Sequence, residues 1–216
     1  MQQYDPVVVV GVLLLLSIAP FVIMVSTSYL KIVVVLSLVR NALGVQQVPP
    51  TMVLNGLAII FSVTIMAPVA FETMKYVDVN SLSRSMAPSE MVATVYNAKE
   101  PLQRFLEKHA HKDTVNFFYQ TAKRLWPKEH AASLKPNDFS ILLPAFTVSE
   151  LTRAFEIGFL LYLPFVTIDI IISNILLAMG MMMVSPMTIS LPFKLLLFVL
   201  LNGWSRLIQG LVLSYV

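Results

Sequence analysis

The chain contains no cysteine, which excludes disulfide bridges and thiol chemistry while saying little about compartment. It is also poor in charge. Only 12% of its 216 residues are Asp, Glu, Lys or Arg, where a soluble protein has about 25%, and 57% are hydrophobic. That deficit places the chain in a membrane. The net charge of +3 is too small for a nucleic-acid footprint, so no nucleic-acid partner is expected. The N-terminus lacks a basic stretch: the first charge is Asp5 and the first lysine is Lys31. No cleavable signal is expected, and the first apolar segment should be retained. Neither a nucleotide-binding loop nor a nucleophile–base motif can be read. No enzymatic activity and no cofactor are therefore expected.

What charge there is sits in the middle. Residues 72–139 hold ten of the fifteen Lys/Arg and eight of the twelve Asp/Glu, a local net of +2. The apolar sequence on either side falls into about four segments, at 7–30, 51–71, 152–177 and 187–210. The expected fold is an all-α membrane protein of broken or kinked helical hairpins. Its parts are an N-terminal apolar hairpin (1–71), a polar helical extracytoplasmic insert (72–143) and a C-terminal apolar hairpin (144–216). An even number of segments puts both termini and the insert on one side.

The N-terminal block begins with 25 uncharged residues, 6–30, enough to cross a hydrocarbon core of about 30 Å at about 1.5 Å per residue. Pro20 should kink or split this helix. Ser26, Thr27 and Ser28 could hydrogen-bond the carbonyls that a break frees. The apolar pattern continues past Lys31 to Arg40. Lys31 therefore snorkels to the interface or finds a partner, with snorkelling the expected outcome. Gly44 and Pro49-Pro50 mark a turn, and Thr51 opens the second segment.

The insert reads as loop at 81–85. A helix start is expected at Ser89-Glu90, with a helix over 91–106 that Pro101 must kink or divide. A second helix covers 114–125, with Val115, Phe118, Ala122 and Leu125 on one face, and Trp126-Pro127 ends it. Residues 135–138 form another loop. His109 and His111 are two apart and cannot share a helix face, so a solvated surface is expected there and no metal site.

In the third block, Thr147-x-x-Glu150 fits a capping box and predicts a helix start. Glu150, Arg153 and Glu156 recur every third residue and lie along one stripe that runs into membrane-grade sequence. Intrahelical pairs would account for them, as would a neighbour or a water-filled path. Ala154-x-x-x-Gly158 permits close helix approach. Pro164 and Asp169 interrupt the apolar run, and Lys194 sits deep in the last block. These ionisable residues need partners, within the chain or across subunits.

Between the third and fourth segments lies Leu177-Ala-Met-Gly-Met-Met-Met-Val-Ser-Pro186. Met179, Met181, Met182 and Met183 are four of the chain's twelve methionines. Gly180 allows positive φ, and Pro186 tends to end a helix before it. The stretch reads as a hinge paved with unbranched, adaptable side chains. Core filler and the lining of a deformable constriction both fit it.

Several stretches together resemble the FliP/SctR family of export-gate proteins. They are Leu38-Val-Arg-Asn-Ala-Leu-Gly-Val-Gln-Gln-Val-Pro-Pro50, Pro144-Ala-Phe-Thr-Val-Ser-Glu-Leu-Thr-Arg-Ala-Phe-Glu-Ile-Gly-Phe159 and Pro192-Phe-Lys-Leu-Leu-Leu-Phe-Val-Leu-Leu-Asn-Gly-Trp204, with the methionine stretch between the last two. Residues 72–140 carry little of it. The sequence looks most like the virulence-injectisome branch. It departs at Asn202, where the family commonly has Asp, and at Thr51, where Asn often follows the prolines. The resemblance implies a core subunit of the type III secretion export apparatus of the bacterial inner membrane. It implies five copies assembled with SctS and SctT and associated with SctU, raised largely towards the periplasm, with unfolded substrate proteins passing through the centre. It maps the family's gasket onto Met181, Met182 and Met183, and an inter-subunit salt bridge onto Glu150 and Lys194. A small-solute transporter and a passive membrane scaffold are the alternatives. No inverted repeat supports the first, and the buried charges and methionines weigh against the second.

Overall fold

The computed structural model describes residues 6–45, 47–76 and 98–216, and among them every regular element is a helix. In chain order these are α1 (Pro6–Ser26), α2 (Tyr29–Leu43), α3 (Thr51–Tyr76), α4 (Glu100–His109), α5 (Lys112–Leu125), α6 (Lys128–Ser133), α7 (Phe139–Ala178), α8 (Pro186–Leu200) and α9 (Gly203–Leu213). The loop expected at 81–85 and the helix start at Ser89-Glu90 lie outside the described residues.

Among the described residues two helices, α3 and α7, are long and apolar enough to cross a membrane. Two further spans arise if each bent pair counts as one: Ser17–Ser26 with Tyr29–Leu43, and Pro186–Leu200 with Gly203–Leu213. The chain is thus an all-α membrane protein with two to four candidate spans among its described residues, some of them broken. The breaks, however, do not fall where proline alone would put them. Pro20 lies inside α1, and the helix stops six residues later at Ser26. There the Ser26 hydroxyl donates to the Ile23 carbonyl and the Thr27 hydroxyl accepts from the Tyr29 N–H. Short hydroxyl side chains compete with the helix ladder for the same groups, and here that competition decides the break.

The chain divides into two compact units. One takes its described residues from Met1–Leu30 and Pro68–Ser149, the other from Lys31–Ala67 and Glu150–Val216. In the first, Ala122, Leu134 and Ile141 form a small core, with Val115, Phe118 and Tyr119 packed on it. Leu125, expected on that face, is instead 77% exposed at the last position of α5. Of the helix expected over 91–106, residues 91–97 lie outside the described residues; Ala98 is helical, Lys99 is a turn, and a new helix starts at Glu100, just before Pro101. Pro101 stands in the first turn of α4, where its missing N–H removes no bond. His109 is buried against Phe105, ring centroids 4.7 Å apart, which corrects the solvated surface expected there; His111 is exposed. Among the described residues no group of three His, Cys, Asp or Glu could hold a metal ion.

The start of α7 is a second correction. The capping box at Thr147 is not used. Helix begins at Phe139, after Asp138, whose carboxylate accepts from the Lys135 N–H and whose carbonyl accepts from the Leu142 N–H. Thr147 sits inside the helix and donates back to the Leu143 carbonyl at 2.8 Å. The local signal lost because apolar residues upstream, Ile141 and Leu142, are almost wholly buried and extend the packed face. The result is a helix of 40 residues, about twice what a 30 Å hydrocarbon core requires.

In the second unit the expected small-residue contact is present. Ala154 is fully buried, and a Cβ added at Gly158 would collide with the Leu38 side chain, so α2 and α7 meet at backbone-to-side-chain distance. The fourth apolar segment is not continuous. Asn202 takes the left-handed conformation at φ 51°, and α8 and α9 diverge there by 59°. Asparagine enters that region at lower cost than most side chains. Gly203 follows because the Phe198 ring occupies the space a Cβ would need.

Candidate functional site: a buried charge centre and a methionine loop

Lys31 does not snorkel. It is 1% exposed, and its ammonium lies 3.3 Å from a carboxylate oxygen of Glu150, which is itself fully buried. On another side the Tyr215 ring stands 3.5 Å from the same ammonium, a cation–π contact. The Tyr215 hydroxyl donates to the Glu150 oxygen that Lys31 also contacts. Arg153, one turn along α7, reaches the other Glu150 oxygen at 3.2 Å and keeps part of its guanidinium exposed. Both carboxylate oxygens are thus engaged, which is what burying a charge at this depth demands. Glu156 is exposed and joins no ion pair among the described residues, so the stripe contributes one pair rather than two.

Lys194 forms a second centre. Buried in α8, it donates to Asp169 of α7 at 2.6 Å and to the Ala42 carbonyl at 3.3 Å. Ala42 lies in the last turn of α2, where carbonyls have no helical partner and the dipole favours a cation. Ser190 donates to the other Asp169 oxygen at 2.6 Å. Gly44, at φ 76°, ends α2 directly beside the lysine. Within the single chain, then, Glu150 is met by Lys31 and Arg153, and Lys194 by Asp169.

The methionines lie beyond this second centre, between α7 and α8. The end of α7 closes as a Schellman motif. Gly180 is left-handed at φ 74°, its N–H reaches the Leu177 carbonyl, and the Met181 N–H reaches the Leu176 carbonyl. Pro186 then occupies the first position of α8, where it starts the helix rather than ending one. Pro164 lies within α7, which continues past it, so Gly180 and Pro186 bound the break. All four methionines are exposed, Met182 at 81% and Met183 completely. Asp169, Ser173, Asn174, Ser185 and Met187 line a groove of about 510 Å³ at the base of the loop.

Sequence reasoning marked Glu150, Arg153, Glu156, Asp169, Lys194 and the methionines; of these Glu156 joins no ion pair among the described residues. The same reasoning missed Tyr215, which is 65 residues from Glu150 and carries no local signal. The one usable hint was general: a tyrosine in an apolar run needs a partner for its hydroxyl.

These features define a class: a helical membrane protein whose broken segments are held by buried ion pairs and present an exposed, methionine-rich loop. The class can be narrowed. The FliP family model matches residues 12–211. The chain is 56% identical to the Yop proteins translocation protein R of Yersinia pestis over 215 residues, 99% of this chain and 98% of that one. It is 49% identical to the virulence protein YscR of Salmonella typhimurium over 213 residues, 98% and 97% of the two chains. It is 48% identical to the hypersensitivity response secretion protein HrcR of Ralstonia nicotianae over 217 residues, the whole of both. The chain belongs to the FliP family.

Proposed function

We propose that the chain is a core subunit of the type III protein secretion export gate in the bacterial inner membrane. Its relatives are named for translocation, virulence and secretion, which supports membership of a secretion apparatus. In this reading five copies assemble with SctS, SctT and SctU into a pore raised towards the periplasm, and unfolded substrate proteins enter through it. Met181, Met182 and Met183, with Met179 beside them, form the gasket, and Glu150 with Lys194 contributes an inter-subunit salt bridge. The carrying observation is the methionine loop itself. It exposes four long apolar side chains on a backbone bounded by a defined helix end and a defined helix start. A seal must close against ions and yet accept any side chain. Thioether chains are apolar, unbranched and conformationally soft, so a ring of them repacks around varied sequences.

The test is conductance. Replacing Met181, Met182 and Met183 together with alanine is expected to open an ion leak in cells while the assembled complex is still recovered. Background conductance from a correctly assembled complex refutes the gasket.

A further inference from the structure

A groove of about 480 Å³ opens on the second unit at the end of α2. Its walls come from the loop after α2 and from α3, α8 and α9, and include Val48, Pro49, Leu57, Phe198, Val199 and Trp204. Trp204 alone among its lining residues carries a side-chain polar atom. The volume lies within the range of about 300–1,000 Å³ common for small-molecule sites. Arg40, in the last turn of α2 and half-buried, is not itself a lining residue but bonds to one. The link is direct: the ring of Pro49 lines the groove, and its carbonyl accepts a hydrogen bond from Arg40 Nη1 at 3.2 Å. The same Nη1 donates to the Thr51 hydroxyl at 3.0 Å. Both acceptors are neutral. Among the described residues no carboxylate pairs with Arg40, and Nε and Nη2 make no hydrogen bond.

A guanidinium offers five donors in a fixed fork that matches a phosphate oxygen pair. Among the described residues three of them have no hydrogen-bond partner, beside a groove whose lining is apolar but for the Trp204 N–H, at the end of an apolar helix. An occupant must therefore join an anionic oxygen group to a long apolar body. We propose that this groove binds one anionic phospholipid, with an acyl chain between Leu57 and Phe198 and the headgroup phosphate on Arg40. The Trp204 indole, whose body is apolar and whose N–H is polar, suits the same boundary between chain and headgroup. Basic pockets between membrane helices take anionic headgroups for this reason.

Native mass spectrometry of the full-length chain in its purified complex tests the assignment, with phosphatidylglycerol and phosphatidylcholine of identical acyl chains as probes. Wild type should retain phosphatidylglycerol with about a fivefold preference, the worth of one basic residue at an anionic surface. Arg40→Gln should abolish the preference and Arg40→Lys should keep most of it. Val199→Trp fills the groove while leaving Arg40 in place, and should lower retention of both lipids. Unchanged helical circular dichroism establishes that the variants fold. Equal retention by wild type and Arg40→Gln overturns the proposal, as does full retention by Val199→Trp. A disulfide between two copies of Val199→Cys, formed in cells in place of retained lipid, also overturns it, because the groove is then a protein seam.

Discussion

Removing the cation from the buried centre tests its energetics most sharply. In Lys31→Met the stem volume is kept and the ammonium is lost. Lys31 and Glu150 are 1% and 0% exposed and stand 3.3 Å apart. Coulomb attraction at that distance is about 5 kcal/mol at an effective dielectric near 20. Breaking a buried pair on one side costs about 3–5 kcal/mol, because the remaining charge stays buried. Arg153 still holds one Glu150 oxygen and Tyr215 the other, so the loss belongs at the lower end, about 3 kcal/mol. That is about a hundredfold in the folded-to-unfolded ratio. Unfolding of the purified chain in mixed micelles, followed by the fluorescence of Trp126 and Trp204, measures it. The double variant Lys31→Met with Glu150→Leu should recover most of the loss, since apolar replacements of a buried pair are often neutral. A single-variant cost within about 0.5 kcal/mol, as at an ordinary surface site, refutes the centre as a stability element.

Two further outcomes are expected. Lys194→Glu should disrupt oligomer recovery on native gels, and the rescuing partner decides the geometry: Glu150→Lys restores an inter-subunit pair, whereas Asp169→Lys restores the pair within the chain, and rescue by neither removes both. Gly158→Val should cost about 1–3 kcal/mol in the same unfolding assay, through collision with Leu38 where α2 meets α7, and Leu38→Ala should relieve it.

Much of the fold was legible because a membrane imposes a coarse rule. Segments of about 20 apolar residues announce themselves by composition, and the charge-rich middle announces itself by contrast. The methionine hinge was legible for the same local reason, since glycine and proline at 180 and 186 act through their own backbone. The boundaries were not. Pro20 and Pro164 looked like breaks yet lie inside helices, while the breaks at Thr27 and Asn202 arise from hydroxyl competition and one left-handed residue. Thr147 carried a capping signal that buried neighbours overrode.

Partner choice is where local reading stops. By itself the sequence determined that the chain lies in a membrane and that it is helical, and it marked Glu150, Arg153, Glu156, Asp169 and Lys194 as needing partners, from the cost of placing a charge in hydrocarbon; Glu156, exposed, takes no ion pair among the described residues. Only the tertiary structure decided which partners they took within the chain. Lys31 meets Glu150 across 119 positions and Tyr215 across 184, and Lys194 meets the end of α2 across 152. Such contacts depend on where helices cross, which Ala154 and Gly158 permit and which no local spacing encodes.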